Sequence, residues 1–179
     1  MDYNSIGDIY SANQLIRKRF QRIVDGITPD EANAALEGEK WTVAALVEHV
    51  AIVEFNMMKI CSKLLSEAKE AGTVSDGKFA LSATFGEKSA EIATIKVDAP
   101  ERVHPQGGIA ISDSLEKMST TTVELSNLRD DFESHHSRDL RFPHPFFGEL
   151  TAGEWLVLVG GHESRHIAQI TRLLAKIRQ

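Results

Sequence analysis

The longest helical pattern in the chain begins near Trp41 and Thr42 and lasts until Gly72. Thr42 is placed to cap the first turn, and Gly72 is placed to end the helix. A helix of about thirty residues is longer than most helices of globular proteins, and its stability in water depends on packing of its apolar face. The pattern therefore predicts a helical bundle. The apolar residues that recur at helical spacing are Leu46, Val50, Val53, Met57, Ile60, Leu64 and Leu65.

Two further segments with the same period lie at the two ends of the chain. The first covers residues 5–25, and Leu15 is among the apolar side chains that we expect in its stripe. The last covers residues 151–177 and opens with Thr151 followed by Glu154, the spacing of a capping box. Both segments are long enough to serve as helices of the predicted bundle.

A third helix of the bundle is expected between these ends. It begins at Ser112 or Asp113, where several side chains can cap it, and it fades near residues 135–136. Its apolar side chains include Val123. With the pattern after Trp41, this makes four long helices.

The segments between these four helices are predicted to be connecting loops. Residues 72–110 contain five glycines and two prolines and are expected to be mostly irregular, with a short extended piece at Ile92, Ile95 and Val97. Residues 142–148 contain two prolines and a glycine and cannot be helical. The predicted fold is a single all-α domain over residues 1–179, a four-helix bundle with a long connection between its second and third helices.

The composition of the chain indicates which classes of partner it does not bind and in which cellular compartment it lies. The net charge of −6 argues against a general nucleic-acid or anionic-membrane binder, since such surfaces are normally basic. We see no apolar run of membrane-spanning length, and Met1 to Asn4 show no start of a signal peptide. Cys61 is the single cysteine, so no intramolecular disulfide can form. These features predict a cytoplasmic protein that binds neither nucleic acid nor membrane.

Two histidines in the last helix are spaced as metal ligands. His162 and His166 are four residues apart, so on a helix they lie one turn apart on one face. Small residues surround the pair at Gly160, Gly161 and Ala168, and they either leave room for a ligand or only permit close helix packing. A third ligand has to come from elsewhere in the chain.

His49 is the histidine that stands out as a third ligand, because it lies within the second helix beside Val50 and Val53 of the apolar stripe. A lone histidine on such a face is more often a hydrogen-bonded core residue than a ligand, so spacing alone leaves this open. The other histidines are His104, His135, His136 and His144, and we expect His144 to be structural.

The run from His162 to His166 also spells H-E-x-x-H, the signature of zinc proteases. In those enzymes the third ligand follows the helix. The residues after His166 include no His, Glu, Asp or Cys, and Gln169 and Arg172 stand where the extended motif has Gly and His. The protease interpretation is therefore disfavoured.

Two stretches resemble the DinB/YfiT-like superfamily. Residues 41–49 are similar to its segment W-[ST]-x-x-[ED]-x-[LV]-x-H, with a departure at Ala45, where an acid is frequent. Residues 144–170 resemble its segment H-P-x-F-G-x-[LM]-[TS]-x-x-[ED]-W followed by H-x-x-x-H-x-x-Q. Residues 105–108, Pro-Gln-Gly-Gly before a helix, also resemble the family, and the likeness covers most of residues 5–178.

The resemblance implies a four-helix bundle whose metal is held by one histidine of the second helix and two of the fourth. Carried onto this chain, those residues are His49, His162 and His166. Zinc or nickel is the expected divalent ion, with a low-molecular-weight thiol as a further cofactor. Family activities include thiol S-transfer and hydrolysis of small molecules, and the resemblance also implies a homodimer.

Three more residues are candidates around the metal. Glu163 is a candidate general base or a carboxylate that supports a metal ligand, and the alternative is a solvent-facing glutamate that pairs with a basic neighbour; the rotation of the helix decides between them. Gln169 and Asn56 follow ligand histidines by three and seven residues and can hydrogen-bond the imidazoles. Two other functions stay open: a non-catalytic metal-binding or ligand-binding protein, such as a stress-response accessory, and a dimerising bundle with a relic triad.

Overall fold

The computed structural model describes residues 3–95 and 97–179, so Met1 and Asp2 of the expected N-terminal sequence lie outside the described residues. The chain forms seven α-helices, one 3₁₀ turn and one β-hairpin within the described part. In chain order these are α1 (Ile6–Val24), α2 (Pro29–Asn33), α3 (Val43–Glu70), α4 (Ala83–Thr94), the 3₁₀ turn Glu101–Val103, α5 (Ile111–Asn127), α6 (Arg129–His135), β1 (Phe142–His144), β2 (Gly148–Leu150) and α7 (Ala152–Ile177).

Side-chain caps fix the starts of three of the four long helices, and the caps of α3 and α7 are the ones that the sequence predicts. Ser5 accepts a hydrogen bond from Asp8 at the start of α1, and Thr42 accepts one from Ala45 at the start of α3. Thr151 and Glu154 form the expected capping box of α7. Each cap satisfies a backbone N–H group that the helix itself leaves unpaired.

The four long helices pack as a bundle, which confirms the predicted fold class. Helix α3 packs against α7 and α5, and α7 packs against α1. Tyr10 of α1 bonds Leu125 near the end of α5, so these two helices are antiparallel. Contacts of α3 with α7 likewise pair the end of one helix with the start of the other. The helices therefore run up, down, down and up, and the connection between α3 and α5 crosses the length of the bundle.

The core consists of two apolar clusters at opposite ends of the bundle. One contains Phe20, Leu46 and Ile170, and the other contains Ile9 and Trp155. Between them lies a layer of polar side chains, described below.

Two expected core residues lie outside these clusters. Leu15 is 67% exposed and Val123 is 58% exposed, so both predictions are wrong. Leu15 precedes the inward-facing Ile16 and Val123 lies two residues before the buried Leu125, so each points about 100–200° away from the core face.

The connection before α5 is more ordered than the sequence suggests. Helix α4 contains Ile92, so the predicted extended piece is wrong there, and Lys96 of that piece lies outside the described residues. Ser82 caps the start of α4, and the Arg165 guanidinium of α7 donates to the carbonyls of Ile92 and Ile95 at its end. The contact with Arg165 comes from outside the segment, so the sequence of the segment alone does not report it.

Smaller differences concern α5 and the region before α7. Helix α5 begins at Ile111 with Ala110 at the cap position and no side-chain cap, instead of at Ser112 or Asp113. The non-helical stretch predicted at residues 142–148 forms an antiparallel hairpin, in which Phe142 pairs with Leu150.

No helix in the described residues is long and apolar enough to cross a membrane.

Candidate metal centre

Three histidine rings from α3 and α7 meet at one point. The Nε2 atom of His162 lies 3.2 Å from Nε2 of His49 and 3.2 Å from Nε2 of His166. The candidate ligand atoms of the three residues all lie within 4.8 Å of one another. The side chains of one α3 residue and two α7 residues are thus brought together across more than a hundred residues of sequence.

Hydrogen bonds on the far side of two rings orient them. The Nδ1 atom of His49 lies 2.7 Å from the carbonyl oxygen of Val103, and Nδ1 of His166 lies 3.0 Å from Oε1 of Gln169. Both partners are oxygen acceptors, so each Nδ1 carries the proton and donates. In a neutral ring, Nε2 then keeps its lone pair. The lone pairs of His49 and His166 are therefore directed towards the same centre, where a cation is their natural partner.

The spacing of the nitrogens fits a tetrahedral ion. Zinc–nitrogen bonds are about 2.0–2.1 Å, and the edge of such a tetrahedron is about 1.6 times longer, or roughly 3.3 Å. The two Nε2 separations of 3.2 Å are close to this edge. Within the described residues the group contains three protein ligands, so a tetrahedral ion held here keeps one position for another molecule.

Burial keeps these imidazoles neutral. Burial together with the charge of neighbouring histidines lowers the pKa of His166 to about 4, against the opposing hydrogen bond to Gln169, and lowers the pKa of His162 well below its ordinary value. Burial also lowers the pKa of His49, although its bond to the Val103 carbonyl opposes the shift. A metal ligand has to be deprotonated, so the cluster is ready to bind a cation at neutral pH.

The comparisons with known proteins agree with the fold. The sequence profile of the DinB superfamily matches residues 12–170. The chain belongs to the DinB superfamily. A relative, the uncharacterized protein YuaE of Bacillus subtilis (strain 168), is 23% identical, with 85% of this chain and 88% of YuaE covered. The crystal structure of TT2238, a four-helix bundle protein, has a TM-score of 0.63 and 19% identity over 94% of this chain and 99% of that chain.

In this DinB-superfamily protein, the connection between α3 and α5 is held against α3 by hydrogen bonds to Glu48, the residue before His49. The Glu48 carboxylate accepts hydrogen bonds of 2.9 and 3.0 Å from the backbone N–H groups of Gln106 and Gly107. These bonds hold the segment whose Val103 carbonyl binds the His49 ring. Glu48 is buried at 5% exposure, and the sequence analysis did not identify it because a glutamate one residue from a ligand has no distinctive spacing.

The aromatic ring of Trp41 packs against one member of the histidine cluster, whereas His144 packs elsewhere. Trp41 lies over His49 with ring centroids 4.8 Å apart and also contacts His104. His144 lies in the hairpin, where its Nδ1 accepts hydrogen bonds from the backbone N–H groups of Phe146 and Phe147. This is the structural placement expected for His144.

Glu163 lies in a buried environment beside an arginine of another helix. It is buried at 2% exposure, and its Oε1 lies 2.7 Å from Nε of Arg17 on α1. Its carboxylate is therefore directed towards the bundle interior and neither into solvent nor towards the histidine rings. The predicted role as a general base at the metal has no support in this placement.

The two amide candidates have different outcomes. Gln169 makes the hydrogen bond to a ligand imidazole that its spacing predicts. Asn56 is exposed and lies about 10 Å farther along α3 than His49, given the rise of 1.5 Å per residue, so the predicted contact with the imidazoles is wrong. Seven residues bring Asn56 back to a similar face of the helix but carry it two turns beyond the cluster.

Of the three small residues near the histidines, Gly160 serves helix packing and the other two are exposed. A side chain at Gly160 would meet Asn13 and Ile16 of α1, whereas Gly161 is exposed with open space around it. Ala168 is also exposed. Gly160 therefore permits the close approach of α1 and α7, and these three positions do not form a ligand cavity.

Arg17 is the residue that the sequence analysis missed most clearly. It lies three residues before the buried Phe20, in the inward stripe of α1, and Glu54 lies three residues before the buried Met57 of α3. Opposite charges at such core-facing positions are a signal that periodicity alone can reveal. Glu163, the second acid bound by Arg17, has no such signal that separates an ion pair with α1 from a role at the metal.

Proposed function

We propose that this DinB-superfamily protein is a metal-dependent enzyme whose zinc or nickel ion is held by His49, His162 and His166. The observation that carries the proposal is the convergence of three Nε2 atoms, two of them oriented by oxygen acceptors on the opposite ring nitrogen. Neutral imidazoles at this spacing have no favourable contact with one another unless a cation or a proton lies between them.

The protein groups around the histidines orient the ligands. Gln169 and the carbonyl of Val103 accept the Nδ1 protons and fix the ring planes of His166 and His49. Such outer partners tune both the affinity and the selectivity of a metal site. A divalent ion held by three neutral ligands keeps its full charge and lowers the pKa of a water or thiol that binds it.

Two reaction classes follow from that chemistry. A low-molecular-weight thiol activated by such an ion could attack an electrophilic carbon and displace its leaving group, which is S-transfer. Water activated in the same way could attack the carbonyl of an ester or amide and release the alcohol or amine, which is hydrolysis. The open fourth position within the described ligand group supports a small-molecule substrate or thiol partner. We further propose a cytoplasmic homodimer, which sedimentation analysis of the purified protein tests.

A non-catalytic metal-binding or ligand-binding role is the second candidate, and the burial of the cluster favours it. His49 is 3% exposed and His166 is 7% exposed, so access to the ligand atoms is narrow. A stress-response accessory that only binds metal needs less access than an enzyme. A screen of low-molecular-weight thiols against monochlorobimane, and of small esters and amides for hydrolysis, separates the two: turnover that depends on metal supports the enzyme.

Metal analysis of purified protein tests the site itself. We expect about one zinc or nickel ion per chain in the wild type after dialysis, and loss of that ion in His49→Ala and His166→Ala. His135→Ala is the matched control, because His135 bonds the Thr73 carbonyl at the far end of the bundle and should keep the metal. Wild-type metal content in both site variants would show that the ion lies elsewhere.

A further inference from the structure

A buried cluster of charges joins all four long helices. The Arg17 guanidinium of α1 contacts Oε2 of Glu54 on α3 at 2.5 Å and Oε1 of Glu163 on α7 at 2.7 Å. Its Nη1 donates to Oγ1 of Thr122 on α5 at 2.9 Å and to the carbonyl of Met118 at 3.3 Å. Only 12% of the Arg17 side chain is exposed, and only 5% and 3% of the two glutamate side chains.

This Arg17 cluster lies between the two apolar clusters of the core. Each acid takes a different nitrogen of the guanidinium, so one planar group sets the positions of three other helices. Buried ion pairs contribute little net stability compared with apolar residues, but they can select one arrangement of helices over others. Uniform hydrophobic contacts at the two ends of the bundle tolerate small rotations, whereas these hydrogen bonds do not.

Both acids are close in sequence to metal ligands and point in another direction. Glu163 follows His162 directly, so their side chains differ by about 100° around α7. Glu54 lies five residues after His49, which corresponds to about 140° around α3. Each helix therefore presents a glutamate to Arg17 and a histidine to the metal centre. Fixing the glutamates fixes the rotation of the two helices that carry the histidines.

We propose that Arg17 is a positioning residue for the metal centre. By holding Glu54 and Glu163 together, it sets the rotation of α3 and α7 at which the Nε2 atoms of His49, His162 and His166 converge. This inference rests on the proposed function of the histidines as metal ligands. Arg17 itself contacts none of the three rings in the described contacts, so its effect is transmitted through the two helices.

The first test replaces Arg17 by lysine. Lysine keeps the positive charge but offers a single ammonium, which cannot bind two carboxylates through a planar fork. We expect Arg17→Lys to fold and to bind zinc about 10-fold more weakly in competition with a chelator, a loss of about 1.4 kcal/mol in binding free energy, because the rotation of α3 and α7 is less firmly fixed. The visible absorption spectrum of the cobalt-substituted protein should change as the ligand geometry loosens.

The matched control is Arg172→Lys. Arg172 is also on α7, six residues after His166, and contacts both carboxylate oxygens of Glu39, but its side chain is 49% exposed and lies outside the core. We expect zinc affinity within about twofold of the wild type, because exposed ion pairs contribute little. The control thus separates loss of an arginine from loss of the buried cluster.

A milder pair of variants covers the case in which Arg17→Lys does not fold. Thr122→Val removes the shorter of the two hydrogen bonds from Arg17 to α5 and keeps the one to the Met118 carbonyl. Thr121→Val changes the neighbouring residue, whose hydroxyl bonds only the Lys117 carbonyl in the described contacts. We expect weaker zinc binding in the first and unchanged binding in the second. Equal affinity in both, or a wild-type affinity and cobalt spectrum in folded Arg17→Lys, would overturn the inference.

The wild-type titration separates this inference from the proposed function. If the wild type binds zinc through the three histidines and the Arg17 variants bind it equally well, only the positioning role is wrong. If the wild type binds no zinc at the histidines, the metal centre itself is wrong and the positioning role fails with it.

Discussion

The histidine cluster and the Arg17 cluster are two polar groups built on the same pair of helices. Each takes side chains from α3 and α7, and each is largely buried. They differ in charge. The Arg17 cluster contains its own cation between two acids, while the histidine cluster consists of neutral bases whose nitrogens face one another.

This difference indicates which cluster is built for structure and which for binding. A buried group of acids with a covalently attached guanidinium is complete within the chain, and it fixes helix positions without any ligand. Three facing imidazoles become complete only when a cation is added. The contrast leads to four predictions, in order of decreasing effect.

The largest effect is expected when the internal cation is removed. Arg17→Met leaves Glu54 and Glu163 buried without a counter-charge, and we expect the free energy of unfolding to fall by about 3–5 kcal/mol. Urea denaturation followed by circular dichroism measures it, with Arg172→Met as the exposed control. A loss no larger than that of the control would mean that the carboxylates find another partner.

The second prediction adds the cation that the histidine cluster lacks. Zinc at a free concentration 100 times its dissociation constant should raise the free energy of unfolding by about 2.7 kcal/mol, because it binds the folded chain. The same addition to His49→Ala should leave stability unchanged. Equal stabilisation of both proteins would place the ion at another site.

A third prediction concerns the acceptor on His166. Gln169→Leu removes the oxygen that holds the Nδ1 proton, so zinc affinity should fall about 10-fold to 100-fold while the fold is kept. Chelator competition measures the affinity, and Asn56→Leu serves as the control because Asn56 lies two turns from the ligands and is exposed. Unchanged affinity in Gln169→Leu would show that the ring needs no such support.

The smallest effect is a dependence on pH in the Arg17 cluster. Burial raises the pKa of Glu54 to about 7, partly opposed by Arg17 and reinforced by Glu163. The folded chain therefore binds a proton that the unfolded chain has lost, and the stability contributed by that proton falls as pH rises from about 4.5 through 7.

Glu54→Gln removes this titration. Its stability relative to the wild type should rise between pH 5 and pH 8 by on the order of 1 kcal/mol or more, because one pKa unit corresponds to about 1.4 kcal/mol. Urea denaturation at a series of pH values measures the difference. A constant difference across that range would mean that the Glu54 carboxylate is ionised throughout.

Much of the architecture could be predicted from local sequence. Thr42 and Thr151 mark helix starts through contacts within three residues, and the apolar period of α3 predicts a bundle. Helix α4 was not predicted, because its end is capped by Arg165 from a distant helix. Leu15 was predicted to lie in the core because it is apolar and adjoins the buried stripe of α1, but its side chain is exposed.

The parts of the candidate site that depend on contacts within one helix were also predictable. His162 and His166 are one turn apart on α7, so their spacing in the sequence reveals the pair. Gln169 follows His166 by three residues on the same helix, so its contact with the imidazole is also predictable from spacing. His49 required the family resemblance, since a single histidine in an apolar stripe has several roles. Arg17 lies in the inward stripe of α1, so its position could be found from periodicity, but its partners could not. Glu48 and the environment of Glu163 depend on contacts between elements, and spacing within one helix does not report these.

The attachment of His49 to the Val103 carbonyl also affects where the chain can change length. Insertions or deletions between Gly72 and Ser82 would act at the end of the bundle that contains Trp155, where the Phe79 ring is buried and Ser82 donates to the Glu154 carboxylate. The same changes between Glu101 and Gly107 would displace both the carbonyl that orients His49 and the amides that bind Glu48. A change of length in the first part of the connection between α3 and α5 therefore disturbs core packing, whereas a change in the second part disturbs a metal ligand directly.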